Sequence, residues 1–180
     1  MFKRLPTTLN VVSLKYIVIA SLLMASPVIA QDTSQENDAV GKVTGYAIPR
    51  FVSLKSDEAN IRRGPAKRFP IDWVYVKPHT PLEIIAEHDV WRKVRDIQGD
   101  EGWVHSAMLS GRRTAIVSKH NSIFRKYKEP TSHGKARLEQ GVQLMIEKCN
   151  PSYCKASIDG VKGWVEKANL WGVYHDEIIE

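Results

Sequence analysis

The residues best suited to ligand chemistry are two arginines and two tryptophans. Arg62 and Arg63 directly precede the dipeptide Gly64-Pro65, which predicts a stiff, exposed turn. A guanidinium on such a turn can form paired hydrogen bonds with a carboxylate. Trp73 and Trp91 offer flat apolar faces on which a sugar or a proline-rich peptide can stack. These four residues are our predicted ligand-binding set.

Each of these residues also has a purely structural interpretation. An ion pair of Arg62 or Arg63 with Asp57 or Glu58 would fix the loop without binding any ligand. The tryptophans could equally fill the interior of a small domain, which needs bulky side chains. Trp91 is a better surface candidate than Trp103 or Trp164, because it begins a predicted strand beside a turn.

The sequence predicts neither a catalytic centre nor a metal site. The six histidines do not form a His-Glu-x-x-His pattern, and the acidic residues are scattered through polar turns. The two cysteines, Cys149 and Cys154, flank the turn-rich tetrad Asn150-Pro151-Ser152-Tyr153. In an exported chain such a pair reads as a disulfide, with its Cα atoms within ~6.8 Å. We therefore expect a disulfide, no cofactor and no enzyme.

A repeat organises the rest of the chain. Gly102-Trp103-Val104 recurs as Gly163-Trp164-Val165, and the surrounding residues recur with it. Such a period indicates one small module that is present twice. We expect Trp103 and Trp164 to occupy equivalent positions and to plug the interior of the two modules.

Short strand-like segments bounded by turns fill both copies. Their β-branched content and turn spacing predict an all-β fold of two tandem small β-barrels. The predicted boundaries are a disordered leader at residues 31–49, a first module at 50–111, a second at 112–175 and an acidic tail at 176–180.

The first 30 residues resemble an export signal. Lys3, Arg4 and Lys15 precede a nine-residue apolar run and then Val28-Ile29-Ala30, a pattern that signal peptidase accepts. Cleavage would leave Gln31 at the N-terminus. The apolar run is far shorter than the roughly 20 residues of a membrane span. We expect a periplasmic or secreted protein with no stable membrane anchor, and export argues against a nucleic-acid partner.

Charge differs between the modules. Residues 112–175 hold 12 basic and 5 acidic residues, whereas residues 50–111 hold 10 and 9. The second module could therefore favour an acidic surface. A solvated basic face would leave the same pattern.

Several motifs resemble bacterial SH3-like (SH3b) domains. Ala59-Asn60-Ile61-Arg62-Arg63-Gly64-Pro65 is similar to their opening signature, and Trp91–Arg95 with Glu101–His105 is similar to their closing strands. Ser110–Ala115 and Leu170–Tyr174 also resemble segments of two-module exported proteins of alphaproteobacteria. The second copy lacks the Gly of the signature, so we expect its first loop to differ.

The resemblance implies a binding module. One hypothesis is that the protein binds cell-wall glycopeptide through Arg62, Arg63, Trp73 and Trp91 of the first module. The alternative is an adaptor that binds an envelope protein through an extended peptide or a sheet edge.

Overall fold

The computed structural model describes residues 39–180. The predicted signal peptide at residues 1–30 and the first part of the leader lie outside this range. The described chain consists of short β-strands and two 3₁₀ turns, without an α-helix. In this part of the protein, no helix has the length and apolar character needed to cross a membrane. The predicted all-β fold is confirmed.

The first module is one antiparallel sheet preceded by a small hairpin. The hairpin pairs β1 (Ala39–Val40) with β2 (Ala47–Ile48). The strands of the sheet are β3 (Arg50–Leu54), β4 (Ala59–Arg62), β5 (Ile71–Tyr75), β6 (Pro81–His88), β7 (Trp91–Arg95), β8 (Glu101–His105) and β9 (Leu109–Ser110). Their spatial order is β5-β4-β8-β7-β6-β3-β9.

The second module repeats this plan strand by strand. Its strands are β10 (Thr114–Val117), β11 (Ser122–Arg125), β12 (Gly134–Leu138), β13 (Gln143–Cys149), β14 (Tyr153–Ile158), β15 (Val161–Glu166) and β16 (Leu170–Trp171). Their order, β12-β11-β15-β14-β13-β10-β16, is the same topology. Even the irregularity between Ile84 and Ala86 recurs between Ile146 and Lys148. The predicted tandem repeat is therefore confirmed.

The prediction that Trp103 and Trp164 plug the interior is wrong, although the two residues do occupy equivalent positions. Each lies opposite an arginine of the neighbouring strand, Arg62 or Arg125. Successive side chains of a strand point to opposite faces. Val104 and its counterpart Val165 are fully buried, so the tryptophans lie half-buried on the other face.

The inward-facing neighbours of these tryptophans include a glycine in each module. At Gly102 the side chain of Ile61 fills the space that a Cβ would need. At Gly163 the ring of Phe124 does the same. Glycine is required at both positions because a side chain of the neighbouring strand covers the backbone closely.

Residues 39–48 are ordered, in contrast to the disordered leader that the polar sequence predicted. The hairpin of β1 and β2 is held by the carboxylate of Glu87, whose side chain is 1% exposed. Glu87 accepts hydrogen bonds from the backbone N–H groups of Val43 and Thr44 at 3.1 and 3.0 Å. It also accepts from the Thr44 hydroxyl at 2.7 Å and from Arg50 at 2.7 Å. A buried carboxylate needs such partners, and these come from the leader itself.

The last five residues pack onto the second module. Ile179 forms a backbone bridge with Cys149, and Glu177 accepts hydrogen bonds from the Arg113 guanidinium. The buried amine of Lys167 donates to the backbone carbonyls of His175 and Glu177 at 3.2 and 2.6 Å. Burial lowers the pKa of Lys167. The segment that we set apart as an acidic tail thus completes one side of the module.

The predicted disulfide between Cys149 and Cys154 is confirmed. The two residues lie opposite each other on the hairpin of β13 and β14, with their Cα atoms 4.1 Å apart. Both sulfurs belong to the apolar core of the second module.

Specific contacts join the two modules. The ring of Phe51 on β3 packs against Trp171 and Tyr174, with centroid distances of 5.1 and 4.6 Å. The Tyr174 hydroxyl donates to Glu83 at 2.8 Å, and the Gln143 amide donates to the carbonyl of Pro78 at 3.1 Å. Burial, together with this hydrogen bond, raises the pKa of Tyr174.

Candidate functional site

The first module carries a groove of about 380 Å³ that contains two of the four predicted residues. It lies where β4 and its following loop approach β7 and the end of β8. We call it the Trp91 groove. Its lining residues are Glu58, Asn60, Arg62, Lys67, Trp91, His105, Ala107 and Met108.

Trp91 and His105 form the base of this groove. They lie directly opposite each other in the antiparallel pair of β7 and β8, and their rings meet edge to face at 5.5 Å. Trp91 is only 7% exposed, so it is a floor and not the open stacking surface suggested by its place beside a turn. The Nδ1 of His105 accepts a hydrogen bond from the backbone N–H of Ala107 at 3.2 Å. A neutral imidazole held this way carries its proton on Nε2, which is then a donor.

Arg62 lines the groove and also fixes the loop that follows it. Its Nη1 donates to the backbone carbonyls of Lys67 and Phe69 at 3.1 and 2.8 Å. A guanidinium has five N–H donors, so these two bonds leave others available. Arg62 thus has a structural role in this loop, and it keeps N–H groups that could serve a ligand in the groove.

Arg63 and Trp73 do not line the groove. The Nε of Arg63 donates to Asp72 at 2.5 Å, and its side chain is 69% exposed. This ion pair spans the turn from β4 to β5 and replaces the expected partners Asp57 and Glu58. Trp73 is half-buried, packs against the core of the first module and meets the ring of Tyr75 edge to face at 6.2 Å.

Sequence reasoning missed His105, Asn60 and Glu58 as lining residues. The signal for His105 was present, because pairing the two predicted closing strands places it opposite Trp91. Asn60 precedes the buried Ile61 on the same strand. Successive side chains of a strand point to opposite faces, so Asn60 is exposed on the groove side. The position of Glu58 depends on the turn before β4, which no local pattern predicts.

The counterpart groove of the second module has a different chemistry. Tyr153 and Glu166 stand opposite each other where the first module has Trp91 and His105. Arg125, the counterpart of Arg62, donates to the carbonyl of Ser132 at 3.1 Å and lies 3.8 Å from Glu166. The guanidinium therefore already has a carboxylate partner. We expected the first loop of the second module to differ from that of the first module. The grooves beside these loops differ as well.

Among residues 39–180, no three side chains of His, Cys, Asp or Glu are grouped as metal ligands would be.

Two solved structures are similar to the chain. NlpC2 from Trichomonas vaginalis is 11% identical with a TM-score of 0.33, over 70% of this chain and 49% of that one. NlpC1 from the same organism is 12% identical with a TM-score of 0.33, over 73% of this chain and 48% of that one. The chain spans about half the length of these structures. No curated protein matches the sequence.

The model of the bacterial SH3 domain matches residues 55–111 and residues 126–172. One matched segment falls in each seven-stranded sheet, and together they cover more than half of the sequence. The chain therefore belongs to the bacterial SH3 domain family, as a tandem pair of these binding modules.

Proposed function

We propose that the protein is a non-enzymatic binding protein that recognises cell-wall glycopeptide in the periplasm through the Trp91 groove. The observation that carries the proposal is the mixed charge of this groove around a buried indole. Arg62 and Lys67 present cationic donors, Glu58 presents a carboxylate, and His105 packs against Trp91 at the base. The periplasmic setting rests on the signal peptide predicted at residues 1–30.

This arrangement suits a short peptide that carries both acidic and amino groups. A carboxylate of the ligand would accept hydrogen bonds from the Arg62 guanidinium, the stronger kind of contact because both partners are charged. An amine of the ligand would lie beside Glu58. The attached sugar would rest near the rim formed by Ala107 and Met108.

Binding to purified peptidoglycan sacculi tests the proposal. We expect Arg62→Ala and Glu58→Gln each to weaken sacculus binding roughly tenfold, the typical loss for one charge-assisted contact. Arg63→Ala is the matched control, because Arg63 is a neighbouring arginine whose ion pair with Asp72 lies outside the groove. Glu58 is exposed and makes no salt bridge within residues 39–180, so Glu58→Gln should not disturb folding.

The proposal is contradicted if Glu58→Gln and Arg62→Ala bind sacculi as well as Arg63→Ala does. Soluble muropeptide should compete with sacculi for the unmodified protein. Absence of competition would place the contact outside a specific groove.

One observation favours the alternative, an adaptor for an envelope protein. Strand β5 lies at the edge of its sheet, and Ile71, Val74 and Val76 on and beside it are exposed. An extended peptide could pair with such an edge. Crosslinking in periplasmic extract would then recover one protein, and Val74→Lys on the edge strand would abolish its recovery while leaving sacculus binding unchanged.

A further inference from the structure

The second module has a second groove, which is built around Trp164. Trp164 points outward from β15, and the Nζ atoms of Lys128 and Lys148 lie 6.0 and 5.9 Å from the centre of its ring. The groove measures about 390 Å³, and its other walls include Pro151, Ile178 and Glu180. We call it the Trp164 groove.

The two lysines lack a carboxylate partner. Within residues 39–180, neither Lys128 nor Lys148 forms a salt bridge. Lys155 and Lys162 differ, since both bind Glu147, at 2.9 and 2.6 Å. Two ammonium groups without a salt-bridge partner therefore border one indole, and they attract an anion more strongly than paired lysines would. Glu180 also lines the groove and is exposed.

The first module lacks this arrangement. Its equivalent tryptophan is Trp103, next to which Lys93 is bound to Glu101 at 2.5 Å. Ala86 occupies the position of Lys148, as the matching strand irregularities show. The free cationic pair is thus particular to the second module, which also carries the larger positive charge.

We propose that the Trp164 groove is a second ligand site, which binds an acidic sugar: a pyranose ring that carries a carboxylate. The C–H groups of the ring would pack on the electron-rich indole face and on the apolar side chains of Pro151 and Ile178. The carboxylate would lie between the ammonium groups of Lys128 and Lys148. This inference goes beyond the proposed function, because it uses a different module and shares no residue with the Trp91 groove.

The indole N–H resonances of the five tryptophans allow a direct test by NMR. Trp164→Phe assigns the Trp164 resonance. N-acetylmuramic acid and N-acetylglucosamine are matched probes, because they differ by one lactyl carboxylate; trigalacturonic acid is a uronate from another source. We expect the acidic sugars to shift the Trp164 resonance and N-acetylglucosamine to bind at least about tenfold more weakly. Which acidic sugar binds more tightly distinguishes the two sources.

Variants of the lysines complete the test. Lys128→Gln and Lys148→Gln should each weaken binding of the acidic sugar roughly tenfold, and added salt should weaken it further. Lys119→Gln removes the same charge from an exposed lysine outside the groove and should change nothing. Glu180→Gln should bind equally or more tightly, since it removes a negative charge.

Three results would overturn the inference: no shift of Trp164 with either acidic sugar, equal binding of N-acetylglucosamine, or equal binding of triglutamate, which has the charge without the ring. Arg62→Ala should leave this titration unchanged whether or not the first groove binds glycopeptide. The two proposals can therefore fail separately.

Discussion

The two modules place different chemistry at the same structural position. Glu87 and Arg92 face each other on the hairpin of β6 and β7, and Cys149 and Cys154 face each other on the equivalent hairpin of β13 and β14. One pair is a buried ion pair at 3.5 Å and the other is a disulfide. A disulfide stabilises the fold whether or not another segment covers it. A buried carboxylate, in contrast, is stable only with all of its hydrogen-bond and ion-pair partners in place.

Each position is also covered by a segment outside the repeated sheet. The hairpin of β1 and β2 covers Glu87, and Ile179 bridges to Cys149. In the first module the covering segment supplies hydrogen bonds to the charge itself. The first module should therefore depend on its covering segment more than the second does.

The largest expected effect is that of Glu87→Ala. The substitution leaves Arg50 and Arg92 without their common carboxylate and releases Thr44. Removing one partner of a buried ion pair costs about 3–5 kcal/mol in the free energy of unfolding. Denaturant unfolding measures the loss, and amide exchange should locate it in the first module and the hairpin. A loss below ~1 kcal/mol would mean that Glu87 is not the centre of this cluster.

Acidification should lower the stability of the first module in a similar way, but gradually, as Glu87 becomes protonated. Burial raises the pKa of Glu87, but hydrogen bonds from Thr44 and Arg50 outweigh it and lower the pKa to about 2. Because the folded-state pKa lies below the unfolded one, the ionised carboxylate stabilises the fold above about pH 4.5. That contribution, on the order of 3 kcal/mol, disappears as the pH falls towards 2. The amide resonances of Val43 and Thr44 should report it.

Glu87→Gln is the control for the acid prediction. It removes the titrating group, so the pH step at these amides should vanish. A step that persists in this variant would assign it to another carboxyl group.

Loss of the disulfide should have a smaller effect. The bond closes a short loop, so reduction should lower the stability of the second module by about 2 kcal/mol. Unfolding of one preparation with and without reductant measures this, with a Cys149→Ala, Cys154→Ala double variant that should not respond to reductant. Intact mass after alkylation without reductant should show no modified thiol. Two alkylated cysteines would contradict the pairing.

The smallest expected effect lies between the modules. Tyr174→Phe removes the hydrogen bond to Glu83 but keeps the packing against Phe51. Loss of one hydrogen bond to a carboxylate costs about 1.5 kcal/mol, the lower end of the range for charged acceptors. The change in unfolding free energy should affect both modules, since the bond joins them. Tyr46→Phe, at an exposed tyrosine, is the control; an equal effect there would remove the special role of Tyr174.

Local patterns predicted much of the fold. The repeated Gly-Trp-Val motif indicated two modules, turn spacing indicated short strands, and the Asn150-Pro151 turn placed Cys149 beside Cys154. These patterns depend only on neighbours in sequence, so they can be recognised without knowledge of the tertiary contacts. Sequence patterns did not predict that residues 39–48 are structured. The partner that holds this segment is Glu87, which lies more than forty residues further along the chain from Val43.

The candidate site was predicted in part for the same reason. Arg62 and Trp91 lie in one groove, as the binding hypothesis required, but Arg63 and Trp73 lie outside it. The sequence placed Arg63 near Asp57 and Glu58, whereas the turn from β4 to β5 carries it to Asp72. Ion-pair partners depend on how a loop folds back, and proximity along the chain does not decide that.

By itself the sequence determined the repeat, the strand period and the disulfide, because each is a property of local spacing. Tertiary structure decided which face of each strand is the interior. The alternation of side chains along a strand defines two faces, but it does not determine which face is buried. In Gly102-Trp103-Val104 the large aromatic suggested the core, yet Ile61 packs over Gly102 and forces the glycine inward. The same packing turns Trp164 outward, beside Lys128 and Lys148.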